Sequence, residues 1–359
     1  MSAGFSCGGF RFTLLERPGP ERALWESRAL AGGFHLPMKA YADWAHTLRH
    51  TTWFLGVEDG GGRCHGGVTL RVHASRALPG FRILRIERFG GNVDPAAYDA
   101  TFEALARIAR QRGRILRLHV ELFSPAPSLL VRLAAAARSA GMAPSPSPRR
   151  YQRTSLVDLT PEPPAIFAGF SSSARRNILA VAKHPVELRP IIEPALIPRM
   201  DDLLRDTMQR TGGRYHPGEW EGILRYSADH PERSRVIGLL RTDRSGPERL
   251  IAYAWGCMNG DHVQHTAAAS ARSADLRMPM SYCLAWDLMQ WGRASGARYL
   301  DFGGITEGTE GGADPLGGIS DFKRFFKGQL ATVGDEWIAE PSRVAATLSR
   351  MLHRLGPAS

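Results

Sequence analysis

The sequence predicts an α+β chain of two tandem domains with mixed, largely antiparallel sheets, on three observations. At 359 residues it exceeds what one hydrophobic core normally organises. Its two halves repeat one order of helical and strand patterns, and a proline-rich stretch lies between them.

In the first half FRFTLLER (10–17) reads as a strand, and helical spacing follows over 22–30 and 39–49. TTWFLGVE, CHGGVTLRVHAS and FRILRIERF read as strands joined by Gly-rich turns. The next helix, 95–111, carries Phe102, Leu105, Ile108 and Ala109 at helical spacing and has Gly113 as its stop. ILRLHVELF is a buried strand, SLLVRLAAAARSAG a helix, and RTSLVDL a strand expected to close the first sheet. GMAPSPSPRR (141–150) and DLTPEPPA (158–165) break both periods, which places the boundary near 160 and gives domains 1–160 and 161–359.

The second half begins with helix SSARRNILAVAK, strand VELRPII and the helices ALIPRMDDLLRDTMQR and GEWEGILRYSAD. RVIGLLRT, RLIAYAWGCMNG and HVQHTAAAS form a meander, and helix MPMSYCLAWDLMQWGRASG leads into strand ARYLDFGG. A short helix about SDFKRFF, one strand QLATVGDEWIA and helix SRVAATLSRMLHRL finish the chain. FEALARIARQRGRILRLHVE and LAWDLMQWGRASGARYLDF are the matching helix–Gly–strand cores of the repeat. No heptad run is long enough for a coiled-coil arm.

No apolar run approaches the 18 residues of a membrane span, and MSAGFSCGGFRF lacks a basic and apolar leader, so a cytoplasmic chain is expected. Cys7, Cys64, Cys257 and Cys283 form no CxxC pair, which argues against zinc knuckles and a disulfide framework. The net charge of +11 favours a polyanionic partner. Arginine-rich coding from a GC-rich genome gives the same balance. Only Lys39, Lys183, Lys323 and Lys327 are lysines, and those few stand out.

Several chemistries are excluded. GxxxxGK[ST], HExxH, GxSxG and EF-hand patterns do not occur, and the DFG at 301–303 has no HRD or VAIK partner. The Gly-rich stretch 301–328 lacks GxGxxG and opens no long helix, so it is no dinucleotide loop. His262 and His265 form HxxH on a strand, where odd spacing sends them to opposite faces. The glycines that follow the strand, Gly303 and Gly304, are suited to close backbone approach of a ligand.

SSARRNILAVAKHPVELRP and ARYLDFGGI…GGISDFKRFF resemble the Fem family of non-ribosomal peptidyltransferases. In that family a basic helix start precedes a strand, and Y-D-hydrophobic-G-G-I, an acidic loop and G-hydrophobic-x-x-F-K follow. DWAHTLRHTTWFLGVED, RFGGNVD and RILRLHVELF extend the resemblance through the first half. It implies two GNAT-like domains without an arm, the first serving the acceptor and the second the aminoacyl donor. The partners implied are an aminoacyl-tRNA and a peptide or muropeptide acceptor, and the chain is expected to be a monomer.

The chemistry implied is aminolysis. A neutral amine attacks the aminoacyl ester, an oxyanion forms and the ribose hydroxyl leaves, with no metal, cofactor or enzyme nucleophile required. By resemblance, Lys323 supports the aminoacyl intermediate or tRNA end, with Phe322 beside it and Asp301, Gly303 and Gly304 in the preceding motif. Glu121 matches the family's first-domain aspartate and either takes the amine proton or orients the amine. ITEGTEGGADPLGG is read as a flexible acidic loop that folds over substrate.

Some positions depart from the family. Where it has a lysine for the acceptor phosphate, this chain has Leu48, or Arg49 with a one-residue slip. The basic residue before a proline is His216, with Arg214 nearby, and Ala267 replaces an aromatic. Arg175 and Arg176 open a helix whose dipole favours anions, which suits a phosphate.

Two other classes remain. A CoA-dependent N-acyltransferase of the same fold needs glycines around the pyrophosphate, yet the equivalent segment, 272–277, carries Asp275 and Arg277 there. An inactive polyanion-binding module is the third.

Overall fold

The structure, a computed structural model, describes residues 2–148, 151–271, 278–314 and 316–355. The segment 272–277, on which the comparison with CoA enzymes turned, lies outside them.

Chain contacts divide the molecule into two units, 1–152 with 332–359, and 153–331. The first unit opens with β1 (Ser2–Cys7) and β2 (Phe10–Leu15), a hairpin turned at Gly8 and Gly9. Both glycines have positive φ, at 55° and 82°, as a two-residue hairpin turn of this hand requires. β1 lies ahead of the first strand expected from the sequence, Phe10 onward, although CGGF carries the turn signal.

Helices α1 (Pro20–Ala31) and α2 (Ala42–Thr47) precede the antiparallel β3 (Thr52–Asp59), β4 (Cys64–Ala74) and β5 (Arg82–Phe89). Helix α3 (Tyr98–Gln111) then crosses over to β6 (Ile115–Phe123), which is parallel to β5. Phe102, Leu105, Ile108 and Ala109 of α3 are buried, as expected from their spacing. They pack with Leu84, Ile86, Leu118 and Val120 from the inward face of the sheet. Helix α4 (Pro127–Ser139) and the two-residue β7 (Ala143–Pro144) follow.

The second unit starts with β8 (Arg153–Asp158), α5 (Pro163–Gly169), α6 (Ser172–Ala180), β9 (Val186–Pro190), α7 (Ile197–Arg210) and α8 (Trp220–Asp229). The meander is β10 (Ser234–Arg241), β11 (Leu250–Met258) and β12 (His262–Ser270). Helix α9 (Ser281–Ala294) crosses to β13 (Tyr299–Gly304), parallel to β12, and α10 (Gly317–Arg324) and β14 (Gln329–Thr332) come last. Helix α9 can lie close on the sheet because position 292 is glycine; a Cβ there would stand 2.3 Å from Val263 Cγ2.

The chain then returns to the first unit as β15 (Gly334–Ala339) and α11 (Arg343–Leu355). The sheet orders are β1-β2-β3-β4-β5-β6-β15-β7 and β14-β8-β13-β12-β11-β10-β9. Two expectations change here. RTSLVDL does not close the first sheet, since β8 pairs with β13, and QLATVGDEWIA is two strands in different sheets, broken at Val333. Val333 is fully buried and its N–H goes to Gln152 O, so the break is a packed crossing point. The division thus falls at 152/153 rather than 160, and 332–359 belongs with the first unit.

Candidate active site

In the second unit β12 and β13 pair only at His262–Tyr299, Val263–Leu300 and Gln264–Asp301, and beyond that point β13 turns away. The turn is a bulge, because Asp301 faces Leu156 while Gly304 faces Thr154. Gly303 sits in it with φ 74°, where a side chain would be strained. Asp301, fully buried, fixes the bulge: its Oδ1 accepts Gly303 N–H at 2.8 Å and lies 2.5 Å from Thr154 Oγ1. The DFGG motif is therefore a strand end bent by its own aspartate.

Lys323 on α10 reaches this strand end. It is 8% exposed, and its Nζ donates to Gly304 O. Burial lowers its ammonium to about 8, with the Asp301 charge opposing the shift. Across from it, burial and then Lys323 push the His265 imidazole down to about 4. An ammonium has three donors, so the Gly304 bond leaves two for a ligand. What holds the lysine inside is aromatic packing. Phe326 lies 5.0 Å from the Phe170 and Phe302 rings and 5.3 Å from Phe322, and such pairs add about 0.5–1.5 kcal/mol each beyond their burial. Phe325, next to Phe326, stays at the surface.

The acidic loop is tied down rather than loose. Arg324 donates to Thr306 O and to Gly308 O and pairs with Asp321 at 2.7 Å, while Glu310 N–H goes to Asp321 Oδ2 at 2.7 Å. Gly317 lets the loop touch α10, since a Cβ there would meet Thr309 O at 2.0 Å.

Arg175 caps α5, its Nη1 donating to Ala168 O at 2.8 Å and Phe170 O at 2.7 Å, while Arg176 faces solvent. Arg214 and His216 are exposed in the segment between α7 and α8. In the first unit Arg49 is exposed just after α2, with φ 54°.

Glu121 lies on β6 in the wall of a cavity of about 270 Å³ that belongs wholly to the first unit. Beside it stand His119 on the same strand and Glu336 on β15, the register partner of Glu121. His119 Nδ1 is 2.5 Å from Glu336 Oε1, and both residues are buried. The neighbouring side comes from Arg71 and His73 on β4 and Arg85 and Glu87 on β5. Sequence reasoning found only Glu121 of this group. The others carried a signal, since RVH, RIE and HVE each place polar residues two apart, on one face of three neighbouring strands.

No family model matches the chain, and no curated protein matches it in sequence. Solved structures do match, and the class they define is the tandem GNAT fold. A tandem GNAT protein from the clavulanic acid biosynthesis pathway matches at TM-score 0.52 and 16% identity, over 93% of this chain and 99% of that one. L-PGS from Bacillus licheniformis matches at TM-score 0.51 and 12% identity, over 95% and 98%. The higher TM-score, 0.70, is to FemX, at 13% identity over 95% of this chain and 99% of that chain. The chain thus has a FemX-like fold of two GNAT-like units, α+β with two mixed sheets, as the resemblance implied. The longest described helices have 14 residues, so no coiled-coil arm is present among them. No described helix is long and apolar enough to cross a membrane.

Proposed function

We propose that this protein is an aminoacyltransferase that moves an amino acid from aminoacyl-tRNA to an amine of a peptide acceptor, a peptidoglycan precursor or a peptide natural product. The observation that carries the reading is Lys323, buried yet hydrogen-bonded at the open end of β13 in a fold like that of FemX. A positive charge fixed in a site of low dielectric stabilises a developing oxyanion far better than one in water. The neutral amine attacks the ester carbonyl, the C–N bond forms, and the C–O bond to the ribose breaks. Glu121 takes the amine proton or orients the amine. The charge of +11 suits the tRNA, with Arg175, Arg176, Arg214 and His216 as its phosphate contacts and Arg49 for an acceptor phosphate. The enzyme acts as a cytoplasmic monomer without a cofactor.

A second reading, CoA-dependent N-acyl transfer, draws on the clavulanic acid pathway protein, whose structure is described as being without AcCoA. Purified protein offered charged tRNA, acyl-CoA and a panel of peptide amines separates the two. Ribonuclease-sensitive transfer is expected; release of CoA would replace the proposal with the second reading. Tight polyanion binding without transfer would leave only a binding module.

A further inference from the structure

The cavity of the first unit has a polarity of which the reaction described so far uses only Glu121. Its β4 and β5 side carries Arg71 and Arg85, which face each other in register. Its β6 and β15 side carries Glu121 and Glu336, also in register. Adjacent strands stand about 4.8 Å apart, so Arg85 on β5, the register partner of His119, and Glu121 on β6 start one strand spacing apart, and Arg71 on β4 and Glu336 on β15 start three. Arg71 meets Glu87 at 3.4 Å and His50 at 3.2 Å, and its buried Nε has no acceptor. At about 270 Å³ the space is below the ~300–1,000 Å³ of clefts that hold drug-sized ligands.

We propose that this cavity binds the end of the acceptor that carries both a primary amine and a carboxylate, and that His119, held by Glu336, is the base that frees the amine while Glu121 orients it. The carboxylate faces Arg85 and Arg71, for which a planar guanidinium is suited. The ammonium faces Glu121. Glu336 on Nδ1 fixes the imidazole so that Nε2 is the basic nitrogen, as a carboxylate does for a general-base histidine. The proposal rests on the aminoacyl-transfer reading for its chemistry. The ammonium gives one proton to His119 and from there to solvent; the neutral amine attacks the ester carbonyl; its second proton leaves with the ribose oxygen as the C–O bond breaks. Glu336 is a positioning residue, acting through His119.

Equilibrium binding tests the site without any transfer. Alanine, β-alanine and lysine are titrated against ethylamine and acetate, which carry one group each. Binding of an amino carboxylate at least tenfold tighter than either single-group probe is expected. Arg85→Gln should remove the preference over ethylamine and Glu121→Gln the preference over acetate. Equal affinities for all probes, or preferences untouched by both near-isosteric variants, would overturn the assignment. In the transfer assay, His119→Gln should lower kcat about 10²-fold with KM nearly constant and abolish the acidic limb of the pH–rate profile. Glu336→Gln should shift that limb without abolishing it. The limb is shaped by the groups around the ring, Arg85 and Glu87 on β5, Arg71 and His73 on β4, and Glu121 and Glu336 beside it. An unchanged profile in His119→Gln refutes the base. Ribonuclease-sensitive transfer to peptides with no amino-carboxylate binding sinks this inference alone, whereas such binding without transfer from charged tRNA sinks only the aminoacyl-transfer reading.

Discussion

The two units handle their central parallel pair differently. In the first, β5 and β6 stay paired from Arg82–Ile115 to Phe89–Leu122, with irregularities. In the second, β12 and β13 part after Gln264–Asp301. A zipped pair offers a ligand only the side chains on its face, and the first unit has its charged residues there. An opened pair offers backbone at a strand end, and there the second unit has glycines, a bulge and Lys323. One repeated scheme has thus produced a charged face in one unit and an opened strand end in the other, so a repeated fold need not repeat its candidate site.

The end site should break first. Lys323→Met is expected to reduce transfer about 10³-fold, the upper range for loss of one oxyanion-stabilising donor, while the melting temperature holds or rises. Transfer that survives this variant would remove Lys323 from the chemistry. The same lysine fixes a pH signature. Its folded pKa is lowered from 10.5 to about 8, so between those values the unfolded chain binds a proton that the folded chain does not. Stability should therefore rise with pH over that interval, and transfer should fall as the charge is lost. Denaturant titrations at pH 7.5 and 10 would show it, and Lys323→Met should flatten the slope.

On the face, Glu121→Gln should cost about tenfold in kcat/KM through lost orientation of the amine; a cost near 10²-fold would make Glu121, and not His119, the proton acceptor. Loss confined to KM would make it a binding residue alone. A smaller effect separates the bulge from the zipped strands: Gly303→Ala should destabilise the protein by about 1–2 kcal/mol, whereas Arg82→Ala, at an exposed position of β5 outside the left-handed region, should not. Arg324→Ala, which releases the carbonyls of Thr306 and Gly308, should mainly speed proteolysis within 305–314, at about 0.5–1.5 kcal/mol per hydrogen bond lost.

The periodicities of α3, α9 and the meanders were legible because local spacing reports one buried face. The FK motif was legible because a lone lysine among aromatics stands out in an arginine-rich chain. The sheet membership of β8 and β15 was not, since pairing such as Leu156 with Asp301 and Glu121 with Glu336, far apart in sequence, leaves no local trace. His119 stayed hidden for that reason: its partner Glu336 is distant in sequence and adjacent only in the sheet. The loop after Gly304 looked loose by composition, yet its glycines permit close contact with α10.

The return of β15 to the first unit has a consequence during synthesis. The ribosome delivers 153–331 before the strand that pairs with β6 exists. Until then β6 presents an unpaired edge, which invites association with other nascent chains. The cavity wall that carries Glu336 forms only after the second unit has been translated. A chain stopped short of residue 334 would leave a first unit without that strand and a cavity without Glu336.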